Sequence, residues 1–224
     1  MIRRAGENLT LIGVGHVLPK SLEDVRETIL NEKPDVVAVE LCPERYVALK
    51  MSARDRRGPG RNFLGWIMYL AQMRFSMQTG VLPGEEMLAA INAAEKAGSR
   101  VELIDVPIGI TLKRLNERVG LKDRLRLLLH VLLSILPTAR VDLTRLTEEE
   151  VVVKLLEELR GFSREIYEVL VEERDRHMAL KLAGLLSGGK KVVAVVGAAH
   201  VPGVEKILKN IDGRWSVRLE YSTL

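Results

Sequence analysis

The chain has 224 residues, of which 47% are hydrophobic, 29% charged and 4% aromatic. That length and apolar content suit a single globular domain with a sizeable core and exclude a disordered chain. Its 34 basic and 30 acidic residues leave a formal net charge of +4, interspersed rather than gathered, and no basic–aromatic alternation suggests base stacking, so nucleic acid is not an expected partner.

The N-terminal Met1-Ile-Arg-Arg-Ala-Gly lacks the apolar core of a signal peptide. It runs into Leu9-Thr-Leu-Ile-Gly-Val-Gly, which reads as a strand closed by glycine. Leu22, Val25, Ile29 and Leu30 then recur at helical spacing over 19–31. Pro34 restarts the chain into Val36-Val-Ala-Val-Glu-Leu, a run suited to a strand covered on both faces. A helix is expected over 43–50, a charged, glycine-broken loop over 52–60, and helices over 62–79 and 84–97, the last closed by Gly98. The third strand is Val101-Glu-Leu-Ile-Asp-Val.

Residues 107–184 read as almost wholly helical, with breaks near Gly120, at 137–142 and near Gly161. Within this region 121–136 is the most apolar long stretch. Lys122, Asp123, Arg124 and Arg126 interrupt it, and its uninterrupted ten residues, 127–136, are too few to span a bilayer. A buried helix is favoured over a membrane-surface one, with His130 in a core or helix interface. Val192-Val-Ala-Val-Val-Gly is the clearest buried strand, followed by a helix over about 202–209 and an alternating strand over 214–221. Strands separated by helices imply parallel βαβ units. The expected fold is therefore α/β: a mainly parallel sheet with flanking helices, one domain over 1–224, and a large helical insertion at about 107–186 between the third and fourth strands.

Two strand ends repeat a pattern. Gly13-Val-Gly-His16-Val and Gly197-Ala-Ala-His200-Val each place a histidine three residues after a glycine that follows an apolar run. Ligands in open parallel sheets bind beyond the carboxyl ends of strands, where both histidines fall. Glu40 ends the second strand and Asp105 the third. A lone histidine at such a place is usually a solvated or capped loop residue, and an Asp before Pro107 an ordinary turn former. A carboxylate within Val-Ala-Val-Glu40-Leu-Cys is harder to dismiss, because burial is costly unless the charge is paired. On a continuous helix, Phe162, Ile166, Val169, Leu170, Leu180 and Gly184 share a face that Glu173 and His177 interrupt, with Arg174 on its flank and Asp175 near the polar side. That spacing suits a shared ligand or proton, and equally a buried ion-pair network around Arg174.

Gly13-x-x-His16-Val, Val-Ala-Val-Glu40-Leu, Glu173-Arg174-Asp175-x-x-Met178-Ala and Val-Val-Gly197-x-x-His200-Val occur in this order. Together they resemble the TraB/PrgY family, across nearly the whole chain. That family is associated with pheromone shutdown in bacteria, has archaeal members of unassigned role, and is similar to the TIKI metal-dependent proteases and more distantly to GumN, ChaN-like and erythromycin esterase proteins. The resemblance implies His16 and His200 as the paired histidines, Glu40 as the strand glutamate and Arg174 as the site arginine, with Glu173 and Asp175 in the motif. The sequence departs from the family where the third strand commonly continues Asp-Arg, because Asp105 is followed by Val106. Longer archaeal relatives carry apolar C-terminal spans, which leaves membrane association open for them.

The chemistry expected is metal-assisted hydrolysis of a peptide or small acyl substrate. His16, His200 and Glu40 would hold a divalent ion (Mn, Co, Zn or Fe), with Glu40, Glu173, Arg174 and His16 as the catalytic candidates. Two alternatives stand beside it: a metal-free hydrolase in which Glu40 positions His16, and a module that sequesters a peptide without cutting it. The dinucleotide fingerprint, the phosphate loop, the Gly-x-Ser-x-Gly elbow and the His-Glu-x-x-His helix are all missing from the sequence. Cys42, the single cysteine, allows no internal disulfide and is expected as a buried, inert thiol. Arg54, Arg56, Arg57 and Arg61 are expected in a solvated loop. The methionine-bearing stretch 66–77 offers an apolar surface for a second copy. Scarce glutamine (Gln72, Gln78) with abundant charge leans toward a thermophilic source. A cytoplasmic or membrane-associated setting is expected.

Overall fold

A computed structural model describes residues 1–15, 19–51, 84–134 and 149–211. Five strands, β1 (Ile2–Arg4), β2 (Leu9–Val14), β3 (Val36–Val39), β4 (Arg100–Leu103) and β5 (Val192–Gly197), form one sheet in the order β1-β2-β5-β3-β4. β2, β5, β3 and β4 run parallel, and β1 adds antiparallel to β2 at the edge. The fold is thus α/β with a mixed, mostly parallel sheet. β1 has no apolar alternation of its own, and Ile2 is half exposed, so nothing in its three residues marks a strand until β2 supplies the partner.

The described helices are α1 (Pro19–Glu32), α2 (Pro43–Lys50), α3 (Glu85–Ala97), α4 (Ile108–Arg118), α5 (Leu121–Ser134), α6 (Glu149–Phe162), α7 (Arg164–Tyr167), α8 (Glu173–Ser187) and α9 (Val201–Ile211). A π-helical turn, Glu168–Glu172, joins α7 to α8, and a 3-10 turn, Ala198–His200, joins β5 to α9. The expected chain break near Gly161 falls instead at Ser163, whose hydroxyl caps α7 by accepting from the Ile166 N–H at 3.3 Å. Gly98 ends α3 in the left-handed region at φ 74°, which glycine adopts without steric cost.

Period-two alternation sorts the strands onto two faces. Leu9, Leu11, Val36, Ala38, Val192, Ala194 and Val196 pack against Met178, Ala179 and Leu182 of α8 and Val201, Val204 and Leu208 of α9. Ile12, Val14, Val37, Val39, Val193 and Val195 pack against Val25 and Ile29 of α1 and Met87, Ala90, Ile91 and Ala94 of α3. Each large side chain buried this way contributes roughly 1.5–3 kcal/mol, and the result is three layers, helix–sheet–helix. The chain leaves β2 toward one face through α1 and leaves β5 toward the other through α9. Adjacent parallel strands whose connections diverge open a crevice at their carboxyl ends.

Between β4 and β5 the described residues form α4, α5, α6, α7 and α8. Of these, α8 is part of the sheet's own covering layer through Met178 to Ala183, while 135–148 fall outside the described residues. Also outside them are His16, the loop at 52–60 with its arginines, the helix expected at 62–79, the stretch 66–77, the strand expected at 214–221 and the side chain of His130. Among the described residues no helix is long and apolar enough to cross a membrane.

Candidate functional site

Three of the sequence-predicted residues meet at the carboxyl edge of the sheet. Glu40 follows β3, and its backbone N–H still donates to the Val195 carbonyl at 3.0 Å, so the ladder with β5 holds it in place. Its Oε2 accepts from the Gly197 N–H at 2.5 Å. Its Oε1 accepts from Arg174 Nη2 and lies 3.4 Å from His200 Nε2. Asp105, past the end of β4, receives Arg174 in a fork: Nε to Oδ1 and Nη2 to Oδ2, both at 2.9 Å. Arg45 of α2 approaches the same carboxylate at 3.4 Å. Asp105 therefore draws its arginines from α8 and α2, with Val106 N–H donating back to its Oδ1 at 2.8 Å.

His200 is pinned on its other side. Its Nδ1 lies 2.6 Å from Asp175 Oδ1, so imidazole and carboxylate share a short, charge-assisted contact. Two glycines make the approach possible. A Cβ on Gly203 of α9 would sit 1.9 Å from Asp175 Oδ2, and one on Gly13 would sit 2.9 Å from the Val201 side chain and 3.3 Å from Ala198 Cα. Gly13 lets β2 lie against the turn that carries His200, and Gly203 leaves α9 open where Asp175 enters.

The cluster is dry: Glu40, Asp105, Asp175 and His200 are each at most 5% exposed. Burial alone would depress the His200 imidazole, but the charge of Glu40 and the Asp175 hydrogen bond outweigh it, despite Arg174, and push it up to about 9. Burial also pushes the Asp175 carboxyl up, against the pull of His200 and Arg174. The His200 imidazole thus favours its protonated form. Burial would lower Arg174, yet Glu40 and then Asp105 raise it above its ordinary value. Two buried cations thus sit among three carboxylates.

Glu173 takes a different direction. Its carboxylate pairs with Arg114 at 2.5 Å and Arg118 at 3.0 Å, both on α4, away from Glu40 and His200. Glu173 thus stays on the face it shares with Ile166, Val169 and Leu170, and that face meets Leu115 and Val119 of α4 rather than the sheet. The other side of α8 covers the sheet through Met178, Ala179 and Leu182. Asp175, which the sequence placed near the polar side, lies on that sheet-facing side at 4% exposure. Asp175 was discernible in the sequence only as part of the Glu-Arg-Asp motif, and Gly203 by no signal at all. Cys42 is buried, with its thiol pushed up by that burial, as an inert core thiol should be.

Among the described residues no group of three or more His, Cys, Asp or Glu is disposed to hold a metal ion. His200 Nε2 and Glu40 Oε1 offer two neighbouring donors, and the Asp175 contact on Nδ1 is how ligating histidines are commonly oriented. A metal there would have to displace the His200 proton, and the Arg174 guanidinium already occupies Glu40 Oε1. The described residues thus offer two donors where a metal needs three or more, and His16 lies outside them.

Comparison with known proteins places this arrangement in context. The chain is 36% identical to an uncharacterized protein of Methanocaldococcus jannaschii over 219 residues, covering 92% of this chain and 54% of that protein. It is 26% identical over 240 residues to TraB domain-containing proteins of Bos taurus and Homo sapiens, covering 92% of this chain and 64% of each. The chain thus spans between about half and two-thirds of the length of these relatives. The model of the TraB/PrgY/gumN family matches residues 1–213, an interval that includes each residue of the cluster. The chain belongs to the TraB/PrgY/gumN family.

Proposed function

We propose that this domain is a hydrolase acting on a peptide or related acyl substrate at the carboxyl ends of β2, β5, β3 and β4. The observation that carries the reading is the buried His200 imidazole beside the Arg174 guanidinium, held by Glu40, Asp105 and Asp175. An ion-pair cluster of this kind is a poor source of stability, because desolvating its charges cancels most of the attraction. Donors fixed in a dry site are, however, what a developing oxyanion requires.

In this mechanism the described residues supply the acid and the electrostatics, and His16 supplies the base. Glu40 is engaged by Arg174 and the Gly197 N–H, and His200 already carries its proton, so neither is disposed to activate water. His16 follows Val14 by two residues, and Val14 pairs with Gly197 across β2 and β5, which supports its assignment to the same edge. His16 takes a proton from water as the water oxygen bonds to the substrate carbonyl carbon. Arg174 stabilises the oxyanion. His200 Nε2–H protonates the leaving nitrogen or oxygen as its bond to carbon breaks, and Asp175 holds the imidazole through the cycle. The helices α4 to α7 act as a cap, a role supported by the tie from Arg114 and Arg118 of α4 to Glu173, next to Arg174.

The test is turnover of chromogenic esters and internally quenched peptides by the purified chain, after chelation and again with added Mn²⁺, Co²⁺, Zn²⁺ or Fe²⁺. Turnover after chelation that falls roughly 100-fold or more in His16→Ala and Arg174→Lys, with circular dichroism unchanged, is the expected result. Turnover that appears only with added metal would replace the metal-free route with a metal-dependent one. Peptide binding with no turnover under any condition would make the domain a sequestering module and overturn the hydrolase reading.

A further inference from the structure

His177 plays no part in the cluster described above, yet its Nε2 is buried with no hydrogen-bond partner among the described residues. Leaving such an atom unpaired costs roughly 1–3 kcal/mol, and native interiors seldom keep one without a reason. Its place in the fold supplies the reason. At about 100° per residue, His177 lies about 60° around α8 from Arg174 and about 40° from Lys181. Both neighbours anchor to the end of β4: Arg174 forks onto Asp105, and Lys181 Nζ donates to the Leu103 carbonyl at 2.9 Å. Along the axis of α8 His177 therefore stands between two fixed points, one turn after Arg174 and one turn before Lys181, and around the axis it lies to one side of both.

From this juxtaposition we infer that His177 is a substrate-binding residue of the same site, its Nε2 meeting a polar group of a peptide or acyl substrate beside the carbonyl held at Arg174. The residue is suited to the task. Burial, with the Lys181 ammonium nearby and against the pull of Asp105, lowers the imidazole below its ordinary value, so His177 is neutral at physiological pH. A neutral ring offers one N–H donor and one acceptor and adds no third cation beside Arg174 and His200. The two histidines thus divide the work: His200, charged and doubly held, faces the reacting bond, and His177, neutral and unpaired, recognises the substrate.

The inference rests on the hydrolase reading for the substrate's class, and a binding experiment separates the two. The chain contains four histidines, few enough to assign ring ¹⁵N signals one variant at a time. The labelled full chain is titrated with a pool of N-acetylated, C-amidated tripeptides and with N-(4-nitrophenyl)acetamide. The expected result is that the His177 ring signals move on titration, that His177→Phe weakens probe binding at least 5-fold, and that His177→Gln, which restores a polar tip, recovers much of it. His177→Phe should also leave the melting temperature unchanged or raised, because it removes an unpaired polar atom. His177 signals indifferent to every probe, or unchanged probe affinity in His177→Phe, would overturn the inference. Probe binding through His177 without turnover would leave it standing while the hydrolase reading falls.

Discussion

Replacing Gly203 with alanine sets two physical effects against each other and so tests the cluster's geometry without any substrate. Gly203 lies in α9, where alanine alone should add up to about 1 kcal/mol of stability. The same methyl would lie 1.9 Å from Asp175 Oδ2, 2.7 Å from its Cγ and 3.3 Å from its Cβ. The contact falls on a short side chain anchored 2.6 Å from His200, so relief requires moving the carboxylate by more than about 1 Å and breaking that contact. Overpacking costs roughly 1–3 kcal/mol, and a buried charge pair losing a partner costs roughly 3–5 kcal/mol. Partial relaxation and the helix gain bring the net destabilisation of Gly203→Ala to about 2–4 kcal/mol. Urea unfolding monitored by circular dichroism measures it, and for a chain of this size the melting temperature should fall by roughly 5–15 °C. The decisive comparison is a double-mutant cycle with Asp175→Ala. Once the carboxylate is gone, Gly203→Ala should be neutral or stabilising, giving a coupling of at least about 2 kcal/mol. Stabilisation by Gly203→Ala in the parent, or additivity within about 0.5 kcal/mol, would refute the packing of Asp175 against α9.

Three further outcomes are expected. His200, raised from an ordinary 6.5 to about 9 in the folded state, contributes about 3 kcal/mol that is fully present below pH 6.5 and is lost as pH rises through 9. The urea midpoint should fall over that window in the parent and stay flat in His200→Gln, and parallel profiles would contradict a buried imidazolium. Glu40→Gln weakens the contacts to both cations and should cost roughly 3–5 kcal/mol by chemical denaturation, whereas Glu173→Gln, on a half-exposed pairing with α4, should cost no more than about 1 kcal/mol; equal costs would show that Glu173 belongs to the buried cluster. Ser163→Ala removes the cap of α7 and should cost about 1 kcal/mol without changing the pH profile assigned to His200, and a shifted profile would mean that α7 and the cluster fold as one unit.

The carboxyl edge was legible because its evidence is local. Val36 to Val39 and Val192 to Val195 are runs buried on both sides, and a charge or imidazole just past such a run stands out as Glu40 and His200 did. Arg174 was legible from its place on the flank of the helix face, as the centre of a possible buried ion-pair network, and from its motif, but its partners Glu40 and Asp105 were not. Glu173 was placed with Ile166 and Val169, as the structure has it, whereas Asp175 was placed on the polar side because the sequence does not show that the opposite face of the helix covers the sheet. His177 was noticed for its spacing to Glu173, whereas its significance lies in the Nε2 left without a partner among the described residues and in Arg174 and Lys181, one turn before and one turn after it.

The sequence by itself determined the class of fold, the strands at β2, β3 and β5 and the helix at α3, because apolar periodicity and glycine punctuation act within a few residues and need no partner. Only the tertiary structure decided that β5 enters between β2 and β3, that β1 is a strand, and that Gly13 and Gly203 are spaces for Val201 and Asp175. It alone decided that His200 lies between Glu40 and Asp175. Those features depend on groups brought together from distant parts of the chain, such as Glu40 and Gly197 or Asp105 and Arg174, whose mutual distances exist only once the sheet has closed and expelled its water.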